Sequence, residues 1–533
     1  MNTRLLIWVL LFCITIPLIF PFLQAGYLQT DDGIWAIVRQ AEMHRELKDG
    51  QFPARWSAYL NHGYGYPLFL FTYPLPYYLG EIIHLIGFNA IDAVKILFIA
   101  STVLSALTMF YFVTSLWGEW AGLVATTLYL YVPYRLLNLF VRGSVGELLA
   151  SIFYPLLFYL FWQLLLKPSY KKVLGSASVL AALILTHNAS IILFAPFLAG
   201  WIGYWLFKVK NKPPASKAIV LSVLFALGLS ATFWLPALVE KQFIALSITP
   251  LAQKADHFLS FSVLLGQTLH PLTQTALSLG NFQILLSLGA LILGVRSVKG
   301  QSLGLRLFLT LAIIITLFMV LPVSVTFWKL PLFKELDFPW RTLGVATFLF
   351  SVLGSGIVVS KFGQFMVIPI IIVTVFLSLG SIKLSPRLTN PSQYYETNDD
   401  TTTSSNELLP IWVDQKPIQR PSQIAVLDIA GRVTMLKHTS THINLEVETN
   451  SAGLLTVNTL YFPGWKAAID KRTVPVAVTP LTGLISLSTP RGIHLVTLQF
   501  VRTPVRLVAD MISTVVLLVG AGLWWYSKRL PRF

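Results

Sequence analysis

The feature that most constrains this chain is a series of long apolar runs, separated by short polar loops along most of its length. Each run spans, or nearly spans, the hydrocarbon core of a bilayer at about 1.5 Å per helical residue. The runs lie near residues 4–23, 91–115, 119–134, 146–166, 172–187, 189–207, 217–238, 281–297, 305–323, 341–359, 363–380 and 506–526. The sequence therefore predicts an α-helical polytopic membrane protein with about twelve transmembrane helices.

Composition supports a membrane protein over a soluble one. Of 533 residues, 55% are hydrophobic and 12% are charged, about half the charged share of a typical soluble domain. The formal net charge is +16, but much of this excess lies in short loops between apolar runs. There it indicates topology, so we expect membrane lipids as partners and no nucleic acid. The single cysteine, Cys13, excludes a disulfide within the chain.

The basic residues favour one side of the membrane, and the positive-inside rule makes that side cytoplasmic. The loops on that side hold Arg4, Lys167, Lys171, Lys172, Lys208, Lys210, Lys212, Lys217, Arg296, Lys299, Arg306, Lys361, Lys528, Arg529 and Arg532. We expect a plasma (inner) membrane protein with both termini in the cytoplasm. The first run is longer than the apolar core of a usual signal peptide, so we expect it to remain as a helix.

Three parts follow from this pattern. Residues 1–380 form a transmembrane domain, whose long first outer loop covers 24–90. Residues 381–505 show short alternating segments such as His442–Glu448 and Leu454–Tyr461, which predict a small extracytoplasmic β-sandwich-like domain. Residues 506–533 form a C-terminal transmembrane anchor and a basic cytoplasmic tail.

Two adjacent carboxylates, Asp31 and Asp32, follow the first apolar run. Carboxylates near lipid are costly to desolvate, which favours a function or a partner for them. Asp32 also stands where an N-cap would precede a predicted helix over residues 34–47. The residues alone leave both interpretations open.

The other polar groups of the outer loops each allow two interpretations. Aromatic residues of the first loop suit stacking on a sugar ring, or an aromatic belt at the membrane interface. Arg142 suits phosphate recognition, or an ion pair with Glu147 that closes a helix end. The pairs His187-Asn188 and Asp337…Arg341 suit ligand binding, or a tight turn and a helix cap.

Several tracts together resemble the bacterial membrane proteins labelled "6-pyruvoyl-tetrahydropterin synthase-related", which are similar to the GT-C superfamily of membrane glycosyltransferases. The resemblance covers nearly the whole chain. The tracts are Asp31-Asp32, Pro53-Ala-Arg55-Trp56, Gly63-Tyr-Gly-Tyr-Pro67-Leu-Phe69, Tyr73-Pro-Leu-Pro-Tyr-Tyr78, Tyr134-Arg135, Arg142-Gly143 with Glu147, Thr186-His187-Asn188, Phe338-Pro-Trp-Arg341 and Tyr461-Phe-Pro-Gly464-Trp465.

The resemblance implies a GT-C-like fold and transfer of a sugar from a polyprenyl-phosphate donor to a glycan, lipid or protein acceptor on the extracytoplasmic face. It implies a catalytic role for Asp31 or Asp32, as general base or as ligands of a divalent metal such as Mg or Mn. The expected donor-phosphate groups are Arg55, Arg142 and Arg341. The expected sugar or acceptor pocket comprises Trp56, His62, Tyr64, Tyr66, Glu147, His187, Asn188 and Asp337.

Two other functions remain open from the sequence. A transporter or flippase for a lipid or glycan would show paired halves and charges at mid-membrane, and no such halves are visible. A non-catalytic scaffold would use the β-rich domain to bind a partner. The nine histidines are scattered along the chain, whereas a pterin synthase of the kind named in the family label needs several histidines around zinc. We therefore expect sugar transfer rather than pterin chemistry.

Overall fold

The fold is a bundle of helices followed by two β-sheets, in a computed structural model that describes residues 3–248, 254–271, 277–293, 303–336, 338–380, 384–390, 392 and 400–526. The α-helices of these residues, in chain order, are α1 (Thr3–Leu23), α2 (Asp31–Lys48), α3 (Leu68–Phe71), α4 (Leu75–Leu85), α5 (Ala90–Trp117), α6 (Glu119–Leu130), α7 (Pro133–Leu137), α8 (Val145–Leu166), α9 (Tyr170–Thr186), α10 (Asn188–Lys208), α11 (Lys212–Leu229), α12 (Ala231–Glu240), α13 (Phe261–Leu264), α14 (Asn281–Leu293), α15 (Leu303–Val320), α16 (Leu343–Ser355), α17 (Lys361–Phe365), α18 (Val367–Leu379) and α19 (Pro504–Tyr526).

Over the described residues, each of the apolar runs coincides largely with helix, which confirms the polytopic helical class. Eight stretches are long and apolar enough to cross a membrane: Arg4–Leu23, Ala90–Trp117, Val145–Leu166, Asn188–Lys208, Lys212–Leu229, Leu303–Val320, Pro339–Val359 and Pro504–Tyr526. Two more apolar helices are shorter, at Asn281–Ile292 and Val367–Leu379. The number of helices that cross the membrane stays a prediction. The run predicted over 217–238 is divided between α11 and α12 at Ser230, whose hydroxyl donates to the Ala226 carbonyl at 2.8 Å.

Aromatic side chains form the centre of the helical part. The ring of Phe158 stacks on Trp201 with centroids 4.6 Å apart and meets Phe348 edge-on at 4.9 Å. Other large apolar side chains, such as Phe12 and Phe207, point outward, as expected where lipid is the solvent. Only 6% of the residues in the most apolar stretch of α19 are buried, so this helix lies at the edge of the bundle.

The β-rich part contains β3 (Ala425–Leu427), β4 (Gly431–His438), β5 (His442–Thr449), β6 (Gly453–Leu460), β7 (Trp465–Ile469), β8 (Arg472–Val474), β9 (Ala477–Val478), β10 (Leu484–Thr489) and β11 (Gly492–Phe500). They form antiparallel sheets of order β4-β5-β11-β7-β8 and β3-β6-β10-β9. Alternate residues of β5, including Leu445 and Val447, are buried, which is the pattern that predicted the strand. The β-rich prediction is confirmed, although β3, β4 and β7 were not predicted.

The first loop packs against the β-sheets. Trp56 is fully buried between Trp465, with ring centroids 5.7 Å apart, and Phe500, at 5.2 Å. The Leu460 amide of β6 donates to the Tyr64 carbonyl at 2.9 Å. In addition, β1 (Tyr27–Leu28) pairs with β2 (Arg387–Leu388). The first loop and the β-sheets therefore lie on the same side of the helices, and their predicted extracytoplasmic location stays a prediction.

Candidate active site

Helix α2 presents an acidic and a basic side chain on one face. The helix begins at Asp31, and Thr30 is its N-cap, so the interpretation of Asp32 as the cap of a helix over 34–47 is wrong. Both aspartates instead lie in the first turn, where the helix dipole favours negative charge. Asp32, Trp35 and Arg39 follow the spacing i, i+3, i+7, which places them on one face.

That face lines a cavity of about 260 Å³. The cavity is assembled from segments that are distant in sequence: 32–39 of α2, 71–77 of the first loop, 144–145 and 187–189 at the starts of α8 and α10, 335–336, 338, 341 and 403–408. Asp32, Arg39, His187, Asn188 and Arg341 all contribute to its lining. Polar and aromatic walls with a few charges suit a polar ligand such as a sugar.

A chain of ion pairs runs from Asp32 into the helices. Arg142 donates from Nη2 to Asp32 at 3.2 Å and from Nη1 to Glu147 at 2.9 Å. Glu147 also faces the Nε of Arg341 at 3.3 Å and accepts a hydrogen bond from the Tyr134 hydroxyl at 2.8 Å. One buried carboxylate thus holds two guanidinium groups, and one of them orients Asp32. The sequence analysis named Arg142–Glu147 as an alternative to ligand binding, and the structure forms this pair at the cavity.

Aromatic rings also hold the guanidinium groups of Arg142 and Arg341. The Arg142 guanidinium lies 4.6 Å from the centroid of Trp340, and that of Arg341 lies 4.8 Å from Phe338. Such contacts fix cations while leaving donors available. The side chain of Arg341 is 26% exposed and lines the cavity, whereas that of Arg142 is 11% exposed. Arg341 is therefore the more accessible cation of this pair.

Arg39 was not identified from the sequence, although its spacing from Asp32 on a helix was a usable signal. Its Nε donates to the Thr402 hydroxyl at 3.0 Å, and its Nη2 donates to the Thr402 carbonyl. The Tyr66 hydroxyl lies 3.0 Å from the same Thr402 hydroxyl. These contacts hold residues 403–408 against the cavity.

His187 fits both interpretations that the sequence left open, a polar group at a tight turn and a group that faces a ligand. Its Nδ1 accepts the Ser190 amide at 3.2 Å and thereby caps α10, while the ring lines the cavity and meets Tyr73 edge-on at 5.0 Å. Burial lowers the pKa of His187 to about 3, so this ring is neutral at physiological pH. Asn188 donates to the Phe71 carbonyl at 3.0 Å and joins the first loop to α10.

Arg135 was quoted among the family tracts but not assigned to the site. It is buried and donates to the hydroxyls of Ser151 at 2.6 Å and Ser105 at 2.5 Å. Within the described residues it has no carboxylate partner, which is unusual for a buried guanidinium. It lines a small cavity of about 20 Å³ together with Glu147 and Arg341, directly beside the larger one.

Several predicted site residues are not brought to this cavity. Asp31 is exposed and does not line it; burial of part of the carboxyl, followed by repulsion from Asp32, raises the pKa of Asp31. The first-loop residues Trp56, His62, Tyr64 and Tyr66 do not line it either. Trp56 is buried against rings of the β-sheets, and Tyr66 is buried where its hydroxyl meets Thr402. Arg55 lies in a different cavity, and Asp337 lies outside the described residues.

The described residues contain no group of three or more His, Cys, Asp or Glu side chains that could hold a metal ion. The carboxylate of Asp32 is engaged by Arg142. These described side chains therefore do not complete a metal site by themselves, and Asp31 and Asp32 as ligands of a divalent metal stay a prediction. The metal requirement stays a prediction for the assay below.

Comparisons with known proteins agree with the membrane class. The family model described as "6-pyruvoyl-tetrahydropterin synthase related domain; membrane protein" matches residues 70–385. An uncharacterized protein of Lactococcus lactis subsp. cremoris is 27% identical over 239 residues, which cover 43% of this chain and 39% of that protein.

Solved structures with a similar outline include arabinofuranosyltransferase AftD from Mycobacteria, at a TM-score of 0.47 and 16% identity, covering 71% of this chain and 26% of that chain. ArnT from Cupriavidus metallidurans bound to undecaprenyl phosphate follows, at a TM-score of 0.42 and 12% identity, covering 74% of this chain and 68% of that chain. The oligosaccharyltransferase of Archaeoglobus fulgidus has a TM-score of 0.39 and 11% identity, covering 75% of this chain and 56% of that chain. These TM-scores lie below 0.5, so we draw no conclusion about substrate or reaction from them.

Proposed function

This chain belongs to the family of membrane proteins with the 6-pyruvoyl-tetrahydropterin synthase related domain, and we propose that it is a membrane glycosyltransferase. It moves a sugar from a polyprenyl-phosphate donor to a glycan, lipid or protein acceptor on the extracytoplasmic face. The observation that carries this proposal is the cavity in which Asp32, oriented by Arg142, faces Arg39, His187 and Arg341.

In the proposed reaction, an acceptor hydroxyl attacks the anomeric carbon of the donor sugar. The new carbon–oxygen bond forms as the bond from that carbon to the phosphate oxygen breaks, and polyprenyl phosphate leaves with the electron pair. The hydroxyl proton passes to the carboxylate of Asp32, which is the general base. Asp32 suits this role because it lines the cavity while Arg142 holds it at 3.2 Å.

The leaving phosphate gains negative charge, which nearby guanidinium groups stabilise. Arg341 suits this role because it lines the cavity with a side chain that is 26% exposed, while Glu147 holds its Nε at 3.3 Å. Arg135 donates to the hydroxyls of Ser151 and Ser105 in the adjoining small cavity, from which its charge adds to the positive potential at the phosphate. Glu147 and Arg142 are positioning residues in this scheme, since they act through Asp32 and Arg341.

The test is turnover by the full-length protein in lipid nanodiscs, measured with a panel of polyprenyl-phosphate sugars and with or without Mg or Mn. Asp32→Asn is expected to lower sugar transfer at least about 100-fold, the range of general acid–base catalysis. Asp31→Asn is expected to lower it less, because Asp31 does not line the cavity. Asp414→Asn, an exposed aspartate beyond the helices, is the matched control.

Full turnover by the Asp32→Asn/Asp31→Asn double variant would reject the proposed reaction. If wild-type protein of normal thermal stability turns over no donor of the panel, the proposal fails. In that case, flipping of a labelled lipid in liposomes would support a transporter, and retained cellular function without both aspartates would support a scaffold.

A further inference from the structure

A second cavity, of about 180 Å³, lies where the first loop meets the end of the β-sheets and the start of α19. Its walls include Arg55 from the first loop, Thr441 before β5, and Arg502 and Arg506 around the first turn of α19. None of the polar residues proposed for sugar transfer lines it. Arg55, one of three arginines that the sequence predicted for donor phosphate, lies here.

The carboxylates at this cavity are fewer than the guanidinium groups. Asp510 accepts both Nη groups of Arg55, at 3.1 and 2.5 Å, and faces the Nε of Arg502 at 3.3 Å. Glu240 accepts the Nε and Nη2 of Arg506, at 3.0 and 2.7 Å. Three cations therefore share two anions, which leaves one positive charge.

The unused donors belong to the two arginines of the α19 end. The Nη1 of Arg506 has no hydrogen-bond partner among the described residues, although the side chain is only 1% exposed. A buried, unpaired guanidinium donor is costly unless a ligand meets it. The side chain of Arg502 is 49% exposed; its Nε faces Asp510 and its Nη2 donates to the Phe52 carbonyl at 3.0 Å, which leaves its Nη1 as the donor at the cavity rim. Helix α19 begins here, at Pro504, and its dipole adds positive potential.

The neighbouring cavity is apolar and shares two lining residues with this one. Its volume is about 80 Å³, and both cavities are lined by Pro53 and Arg55. Its other walls are mainly apolar side chains, including Phe69, Leu70, Leu185 and Phe233. A basic cavity that opens beside an apolar one, at the start of a helix able to cross a membrane, matches a phosphate headgroup attached to hydrocarbon.

We propose that this pair of cavities binds a phosphate-headed membrane lipid. Arg502 and Arg506 hold the phosphate through charge-assisted hydrogen bonds, and the first part of an acyl chain enters the apolar cavity. Bound there, the lipid joins the first loop, the β-sheets and α19. This site is distinct from the cavity of the proposed transfer reaction. It is therefore tested by lipid binding and not by sugar transfer.

The test is binding of fluorescent phosphatidylglycerol to delipidated full-length protein in detergent. Arg502→Gln is expected to weaken binding about tenfold or more, the effect of one hydrogen bond to a charged group. Thr441→Asp is expected to weaken it as well, because it adds a negative charge at the wall without removing an ion pair. Arg432→Gln, an exposed arginine of β4, is the matched control and is expected to bind as wild type.

Tagged diacylglycerol, which lacks the phosphate, is expected to bind much more weakly than phosphatidylglycerol. Inorganic phosphate is the third probe and is added as a competitor of fluorescent phosphatidylglycerol. A lipid ligand is supported if phosphate displaces phosphatidylglycerol only at concentrations far above that of the lipid. The lipid assignment is overturned if inorganic phosphate binds as tightly as phosphatidylglycerol. The phosphate site itself is overturned if stable Arg502→Gln and Thr441→Asp proteins bind phosphatidylglycerol as wild type does.

Discussion

The two arginine-lined cavities differ in where their ion pairs come from. In the first cavity, Arg142 and Glu147 are five residues apart and pair at 2.9 Å, and a third group, Asp32, joins from α2. In the second, Arg55 pairs with Asp510, which is 455 residues away. The first cavity directs a carboxylate toward its open space, whereas the second uses its carboxylates to hold arginines.

This difference shows that residue type alone does not tell whether an arginine near a membrane surface binds a ligand or forms a structural ion pair. Arg142 and Arg55 were both candidates for donor phosphate, and both are buried in ion pairs. Only Arg142 contacts a carboxylate that lines the sugar-sized cavity. The comparison predicts that carboxylate substitutions act mainly on activity at the first cavity and mainly on stability at the second.

The largest expected effect is that of Glu147→Gln on turnover. Removing this charge releases Arg142 and Arg341 from their shared partner, so Asp32 and the phosphate-facing guanidinium lose their orientation. We expect turnover per folded molecule to fall about 100-fold, as misplacement near 1 Å can cause, mostly in kcat rather than KM. Glu446→Gln, an exposed glutamate of β5, is expected to keep wild-type kcat, and a wild-type kcat in Glu147→Gln would break the comparison.

A smaller effect is expected from Asp510→Asn on stability. Arg55 and Arg502 lose their common carboxylate, which costs about 2 kcal/mol if a charged hydrogen bond is lost at this partly buried site. Thermal unfolding in detergent is expected to show a lower Tm than for the exposed control Asp414→Asn. A double-mutant cycle with Arg55→Met isolates the pair, and a coupling energy near zero would show that the pair contributes nothing.

The smallest effect is expected from a buried acidic pair in α2, which belongs to neither cavity. Burial raises the pKa of Glu42 to about 7, and burial followed by repulsion from Glu42 raises that of Glu46. The folded state then binds more protons than the unfolded state, so stability falls as pH rises from the ordinary glutamate range, about 4.5, toward 7. Tm measured across this pH range follows the decline in stability. Glu42→Gln is expected to make the decline smaller, by about 1 kcal/mol of unfolding free energy. An unchanged pH slope in the variant would contradict the assignment.

Much of the helical architecture was predictable because apolar length is a local property. In the part of the chain that the structure describes, the apolar runs coincide largely with helix, and the alternation in His442–Glu448 coincides with β5. The start of α2 was misjudged because Asp32 resembles an N-cap, whereas the helix accommodates both aspartates in its first turn. The exposed, irregular alternation of β4 left that strand unpredicted.

The site was predictable only in part. Asp32, Arg142, Glu147, His187, Asn188 and Arg341 were named from the sequence, and the structure gathers them in or beside one cavity. Arg39 was missed despite its helical spacing from Asp32, and Arg135 was missed because nothing local shows that it lacks a carboxylate. Trp56 and Tyr66 were assigned to the pocket from their chemistry, but Trp56 is buried against the β-sheets and Tyr66 against Thr402.

By itself, the sequence determined the membrane class and the helices, because the apolar character of a run is local to that run. It offered the short-range pair of Arg142 with Glu147 only as one of two interpretations. Only the tertiary structure decided that Asp32 rather than Asp31 lines the cavity, and that Arg55 pairs with Asp510. Those contacts depend on how α2, the first loop and α19 pack together. Such packing sums many weak interactions over the whole chain, so no local pattern records it.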